Sequence, residues 1–171
     1  MAATSHRHHV LVLVVAFACS KHAAPAANDP VIEDFRITER STLLAFNGLL
    51  HQQKANAIDE RELGRSIDAQ VLPPWRELRA RVDAAKIPDG ESELYVALRR
   101  YLAERQTSWE AYVAALTADT DEHARPHYDI YHQQTDAATA DAQLIGAEFR
   151  RLALAPLPPL IADAALPADA M

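Results

Sequence analysis

Neutral imidazole is a ready ligand for zinc, nickel or iron, so the histidines are the first residues to weigh for chemistry. Beyond residue 30 the chain holds His51, His123, His127 and His132. His123 and His127 stand four apart, about 40° around a helix, so one ion can touch both. His132 lies about 140° further round from His127 and cannot join them on a regular helix. His123 and His127 are therefore the candidate metal ligands, with Asp121 and Glu122 alongside. The plainer account of the pair is two solvated imidazoles in the first turns of a helix. The sequence implies no cofactor.

Other reaction chemistries lack their residues. A di-iron bundle needs two Glu-x-x-His motifs and two further glutamates. Here Asp129 stands three before His132, but Gly48 stands three before His51. There is no Cys-x-x-Cys-His for covalent haem, and the methionines are only Met1 and Met171. Gly-x-Ser-x-Gly and His-Glu-x-x-His are absent too. Four glycines (Gly48, Gly64, Gly90, Gly146) are too few for a phosphate-cradling loop. With 17 basic against 24 acidic residues and a net charge of −7, nucleic acid is not an expected partner. The reading is a non-catalytic protein.

A few polar residues interrupt apolar helical stripes: Glu39, Gln53 and Arg105. Glu39 paired with a basic neighbour such as Arg105 would fix helix register. A polar pocket for a small ligand between helices is the sharper alternative. Trp75, Trp109, Tyr101 and Tyr112 read as packing residues, or as a partner surface if they are left exposed.

The elements that must position these residues are helical throughout. Asp29 caps a first helix that has Pro30 at its first position, with Ile32, Phe35, Leu43, Phe46 and Leu50 along its stripe. Asp59 and Glu62 stand at capping-box spacing before Leu63, Ile67, Val71, Leu78 and Val82. Pro73-Pro74 predicts a kink or short break in that second helix. After the turn Pro88-Asp89-Gly90 a third stripe runs Leu94, Leu98, Leu102, Trp109, Val113, Leu116. The fourth runs Tyr128, Tyr131, Thr135, Ala138, Ala142, Ile145, Phe149, Leu152, with Asp119 or Glu122 as cap and Pro126 as a kink or true start. Glu60-Arg61-Glu62 and Arg99-Arg100 read as solvated faces. Long stripes joined by short connections predict an all-α, antiparallel up-down-up-down four-helix bundle over residues 30–153.

Ahead of it, His6-Arg7-His8-His9 precedes the apolar run Val10 to Ala18. Those nine residues span about 14 Å as a helix, half a bilayer core, which suits a signal peptide over residues 1–18. The junction Ala16-Phe17-Ala18-Cys19 resembles that of bacterial lipoproteins, with Ala16 and Phe17 where that family carries Leu and a small residue. The resemblance implies acyl chains (palmitate among them) on Cys19 and membrane attachment; the plainer account of the same junction is a secreted protein with a free Cys19 thiol, or an uncleaved amino-terminal anchor. Ser20 after the cysteine implies the outer membrane, with the body facing the periplasm or cell surface. Residues 19–29 then form the lipidated end and tether. Residues 154–171 form a Pro-rich tail whose Leu157, Leu160 and Ile161 are expected against the bundle.

Val71-Leu-Pro-Pro-Trp-Arg-Glu-Leu-Arg79 and Leu98-Arg-Arg-Tyr-Leu-Ala-Glu-Arg-Gln-Thr-Ser-Trp109 resemble helical segments attached to some bacterial rhomboid-type membrane proteins. That resemblance carries no catalytic residue and implies a helical accessory module near a membrane. The expected role is an envelope interaction or structural module with a protein partner. The alternative is a periplasmic metal- or small-ligand-binding bundle using His123 and His127.

Overall fold

The structure, a computed structural model, describes residues 29–154; the apolar leader, Cys19, the tether before Asp29 and the tail from residue 155 lie outside the described residues. Among the described residues every regular element is a helix: α1 (Pro30–Lys54), α2 (Glu60–Gln70), α3 (Leu72–Ala84), α4 (Ser92–Thr117) and α5 (Asp121–Arg151).

Local chemistry explains the helix ends. The Asp29 carboxylate accepts from the Val31 N–H at 2.8 Å, and Pro30 occupies the first turn, where its missing donor costs nothing. Asp59 caps α2 by accepting from the Glu62 N–H at 2.7 Å. The expected break at Pro73-Pro74 falls at Val71, a single residue that still donates to the Ile67 carbonyl. Pro73 cannot continue the ladder but fits the first turn of a new helix, so α2 and α3 are one rod interrupted once. At α5 the cap is Thr120, which accepts from the His123 N–H, rather than Asp119 or Glu122. Pro126 sits inside α5 without ending it.

Two ends close in the same way. Asn56 and Ala153 adopt left-handed φ angles of 56° and 55°. After each, the next N–H reaches back to the third-last helical carbonyl, Ala57 to Gln52 and Leu154 to Phe149. Alanine pays a steric cost in that conformation which glycine does not. Ala153→Gly is expected to stabilise the fold by about 1 kcal/mol, read as a higher urea midpoint.

Side-chain pairs give each helix its direction relative to α4. Against α5 the partners fall as α4 rises: Arg100 with Asp141, Ser108 with Thr135, Tyr112 with Tyr131 and Tyr128. Against α3 they also fall: Arg99 with the Val82 carbonyl, Gln106 with Arg79, Glu110 with Arg76. Against α1 they rise together, from Tyr95 with Asp29 through Tyr101 with Glu39 to Trp109 with Phe46. Helix α4 is thus central, antiparallel to α3 and α5 and parallel to α1. Helices α1 and α5 nowhere bring Cα atoms within 8 Å of each other.

The core is aromatic at its centre. Trp75 is fully buried, meets Trp109 edge-on at 4.9 Å and Tyr101 at 5.8 Å, and donates its indole N–H to the Leu102 carbonyl at 3.0 Å. Trp109, Tyr101 and Tyr112 are also buried, so this cluster is packing and not a partner surface. Toward the far end α2 and α4 approach closely at Gly64. A Cβ there would stand 3.2 Å from the Thr117 methyl and 3.4 Å from the Leu116 Cβ. Gly64→Val is expected to cost about 1–3 kcal/mol through overpacking, seen as a lower Tm.

Candidate functional site

The polar groups that the fold buries lie along the faces of α4. On its α1 side, Glu39 is 2% exposed and Arg105 is 3% exposed. The Tyr101 hydroxyl donates to the Glu39 Oε1 at 2.7 Å. The Arg105 guanidinium lies 5.8 Å from the Tyr101 ring centre and 5.9 Å from that of Trp109. Burial pushes the Glu39 carboxyl above its ordinary value, while the Tyr101 hydrogen bond and the Arg105 charge pull it back in part. Tyr101 is driven well above the usual phenol range by burial and by the neighbouring Glu39 charge. The two stripe residues therefore serve one electrostatic centre, the pairing account of Glu39 and not the open pocket. Gln53, by contrast, is half-buried in the last turn of α1, away from that centre.

Around the centre, the Thr42 hydroxyl, the Asn47 amide and the Trp109 indole N–H are buried without a hydrogen-bond partner among the described residues. On the α5 side of α4, Arg100 reaches Asp141 with two nitrogens, and Asp141 is 5% exposed. Glu104, one turn along α4, has its carboxyl pushed up by burial and then by the Asp141 charge. Ser108 and Thr135 share a hydroxyl hydrogen bond of 2.7 Å across the same seam. A third polar group sits at the pole where the described chain starts. There Asp29 accepts from the Tyr95 hydroxyl as well as capping α1, and Glu91 is buried beside it. The Glu91 carboxyl is raised by burial and the Asp29 charge, against the opposing Arg151. Arg151 donates to the Gly90 carbonyl at 2.9 Å, so both ends of the described chain meet at this pole.

The histidine pair sits elsewhere. His123 is exposed in the first turn of α5 and His127 is half-buried one turn on, with Pro126 between them leaving the helix unbroken. Among the described residues no group of three or more His, Cys, Asp or Glu could hold a metal ion. The pair thus has the i, i+4 spacing on α5 and, among the described residues, no third ligand from another element.

No protein-family model matches the chain. Neither the curated proteins nor the solved structures show significant similarity to it. Function must therefore be read from the site geometry alone.

That geometry is one of helix-to-helix wiring. The Arg99-Arg100 pair, expected to be a solvated face, is a connector. Arg99 donates to the Val82, Asp83 and Ala85 carbonyls at the end of α3, while Arg100 takes Asp141. The Arg99 contacts satisfy carbonyls that a helix end leaves open. Asp29 is legible in the sequence as the α1 cap but not as the acceptor for Tyr95, and Asp141 is not among the expected site residues. Asp141 had one usable signal, its place between Ala138 and Ala142 on the α5 stripe. A surface groove of about 370 Å³ between α4 and α5 is lined by Val96, Arg100, Leu144 and Glu148 among others. Of its charged lining residues, Arg100 is engaged with Asp141 and Glu148 with Arg151.

Proposed function

We propose that this chain is a lipid-anchored envelope protein, held by Cys19, whose helical body is a non-catalytic interaction or structural module. In this reading the body is an up-down-up-down four-helix bundle, with α2 and α3 together as its second helix. The pairing directions around α4 and the short α4–α5 connection support that topology. The membrane is its first partner through the acyl chains, the outer membrane of an envelope its favoured address, and an envelope protein its second partner.

One observation carries the reading. The body begins with a fixed end at Asp29, ten residues beyond Cys19, bonded both to its own helix and to α4. A tether of that length reaches at most about 35 Å, so it holds the Asp29 pole at the lipid surface and turns the opposite pole outward. Among the described residues no helix is long and apolar enough to cross a membrane, so a covalent lipid would supply attachment. The polar residues inside the body bond across helix seams, which suits a rigid module better than a reaction centre.

Fractionation tests it. Wild-type chain expressed in a Gram-negative host is expected in the membrane pellet, and Cys19→Ala in the soluble fraction. Several acyl chains, at about 0.8 kcal/mol per buried methylene, account for a shift that large. Equal partitioning of both forms would remove the lipid anchor from the proposal.

A further inference from the structure

Among the described helices α5 packs against α4 alone, so much of its circumference faces outward. Its inward stripe, from Tyr131 through Ala138 to Phe149, is buried. A second stripe runs down the outer side: Ile130, Gln133, Ala137, Ala140, Leu144 and Ala147, with gaps that alternate three and four. That is the spacing of a helix-to-helix seam. Yet Ile130 is 39% exposed, Leu144 is 49% exposed, and Ala140 and Ala147 are exposed between and beside them. Val96 of α4, 51% exposed, faces Leu144 and Ala147 across the open groove of about 370 Å³. Large apolar side chains gathered around one groove mark a contact face.

We propose that two copies of this chain pair antiparallel along this outer face of α5, with Ile130 of each copy seated in the groove between Val96, Leu144 and Ala147 of the other.

Register and charge single out a second copy as the occupant. An antiparallel pair sets the two kinds of seam position opposite each other, so Ala137 faces Ala140, Gln133 faces Leu144 and Ile130 faces Ala147. The alanines let the two helices approach, and Ile130 arrives at the level of the groove. The overlap from Ile130 to Ala147 is about 26 Å. On one flank Asp129 meets Arg150 of the second copy and Asp136 meets Gln143, all four exposed. On the other flank Gln134 meets Asp141 and His127 meets Glu148, so no like charges face each other. Two-fold symmetry makes each pair twice. A parallel course sets Asp136 against Asp141 and Arg151 against Arg151, and loses the Asp129–Arg150 pairs. The pairing rests on the helical body and not on the lipid anchor, so either can fail alone. It sets the two Asp29 poles at opposite ends, each with its own tether.

Charge reversal in the full chain carrying Cys19→Ser tests the register. Sedimentation equilibrium is expected to show monomer and dimer with a Kd on the order of 10–100 µM, as suits a small interface. Asp129→Arg is expected to weaken pairing at least about fivefold, and Arg150→Asp added to it to restore pairing to within about twofold. The two positions lie about 31 Å apart on one helix, so restoration can arise only between copies. Leu144→Glu is expected to abolish pairing. Ile37→Glu, on the competing apolar face that Ile37 and Leu44 expose on α1, is expected to leave it unchanged. A monomer up to about 500 µM, weakening without restoration, or loss on Ile37→Glu would overturn the proposal. Crosslinking gives the second readout. Chains bearing Asp129→Cys and Arg150→Cys are expected to join through a short bismaleimide only when mixed. Asp129→Cys joining to itself would mean a parallel course and end the idea.

Discussion

Trp75→Ala is expected to destabilise the protein by about 3–5 kcal/mol, the cost of emptying a large aromatic site in a packed interior. The side chain is fully buried, touches two other aromatic rings edge-on and donates its indole N–H to the α4 backbone. It follows the break at Val71 closely, so it also ties the start of α3 to the middle of α4. Losing it removes apolar area, leaves a cavity between Tyr101 and Trp109, and releases α3 from α4. Trp75→Phe keeps much of the volume without the donor and is expected to lose less than half as much. Urea denaturation of the three forms checks this. A Trp75→Ala loss under about 1 kcal/mol would mean that the aromatic centre collapses to fill the gap.

The second large effect is on Arg105 and depends on pH. Arg105→Met is expected to cost about 3–5 kcal/mol at pH 7.5, because a buried carboxylate then loses a cation and the rings lose a cation–π contact. Glu39 sets the pH dependence. Its carboxyl is raised above the ordinary 4.5 even with Arg105 present, by burial first. A raised acid contributes stability that is fully present below its unfolded value and is lost as pH rises through the folded value. Removing the Arg105 charge raises the folded value further, so the loss in the variant continues to higher pH. The gap between wild type and Arg105→Met should therefore widen from pH 4.5 to pH 7.5. Denaturation midpoints at the two pH values decide it, and an equal gap at both would mean Glu39 stays neutral throughout.

Legibility followed the physics of each element. Asp29 with Pro30 and Asp59 with Glu62 announced helix starts because capping is local, and both bonds are present. Pro73-Pro74 announced a break, since a missing N–H is visible in the chain itself. The α5 cap went to Thr120 because a hydroxyl satisfies a helix N–H as well as the carboxylates beside it, and sequence spacing does not choose among adjacent candidates. Glu39 and Arg105 stood out as polar residues on apolar stripes. Asp141 and Arg99 did not, since what makes them matter is the neighbouring helix each one faces. Asp141 looks like an ordinary acid until α5 is laid against Arg100. Arg99 looks solvated until the carbonyls at the end of α3 are placed beside it.

The parallel course of α1 beside α4, pinned at the Asp29 end, has a mechanical consequence. Tension entering through the amino end would act along the common axis and load the successive α1–α4 contacts in shear. Asp29 with Tyr95, Glu39 with Tyr101, and Phe46 with Trp109 would then share the force together, where a perpendicular pull would break them one after another. A pull along that axis is thus resisted by all three contacts at once, without unzipping.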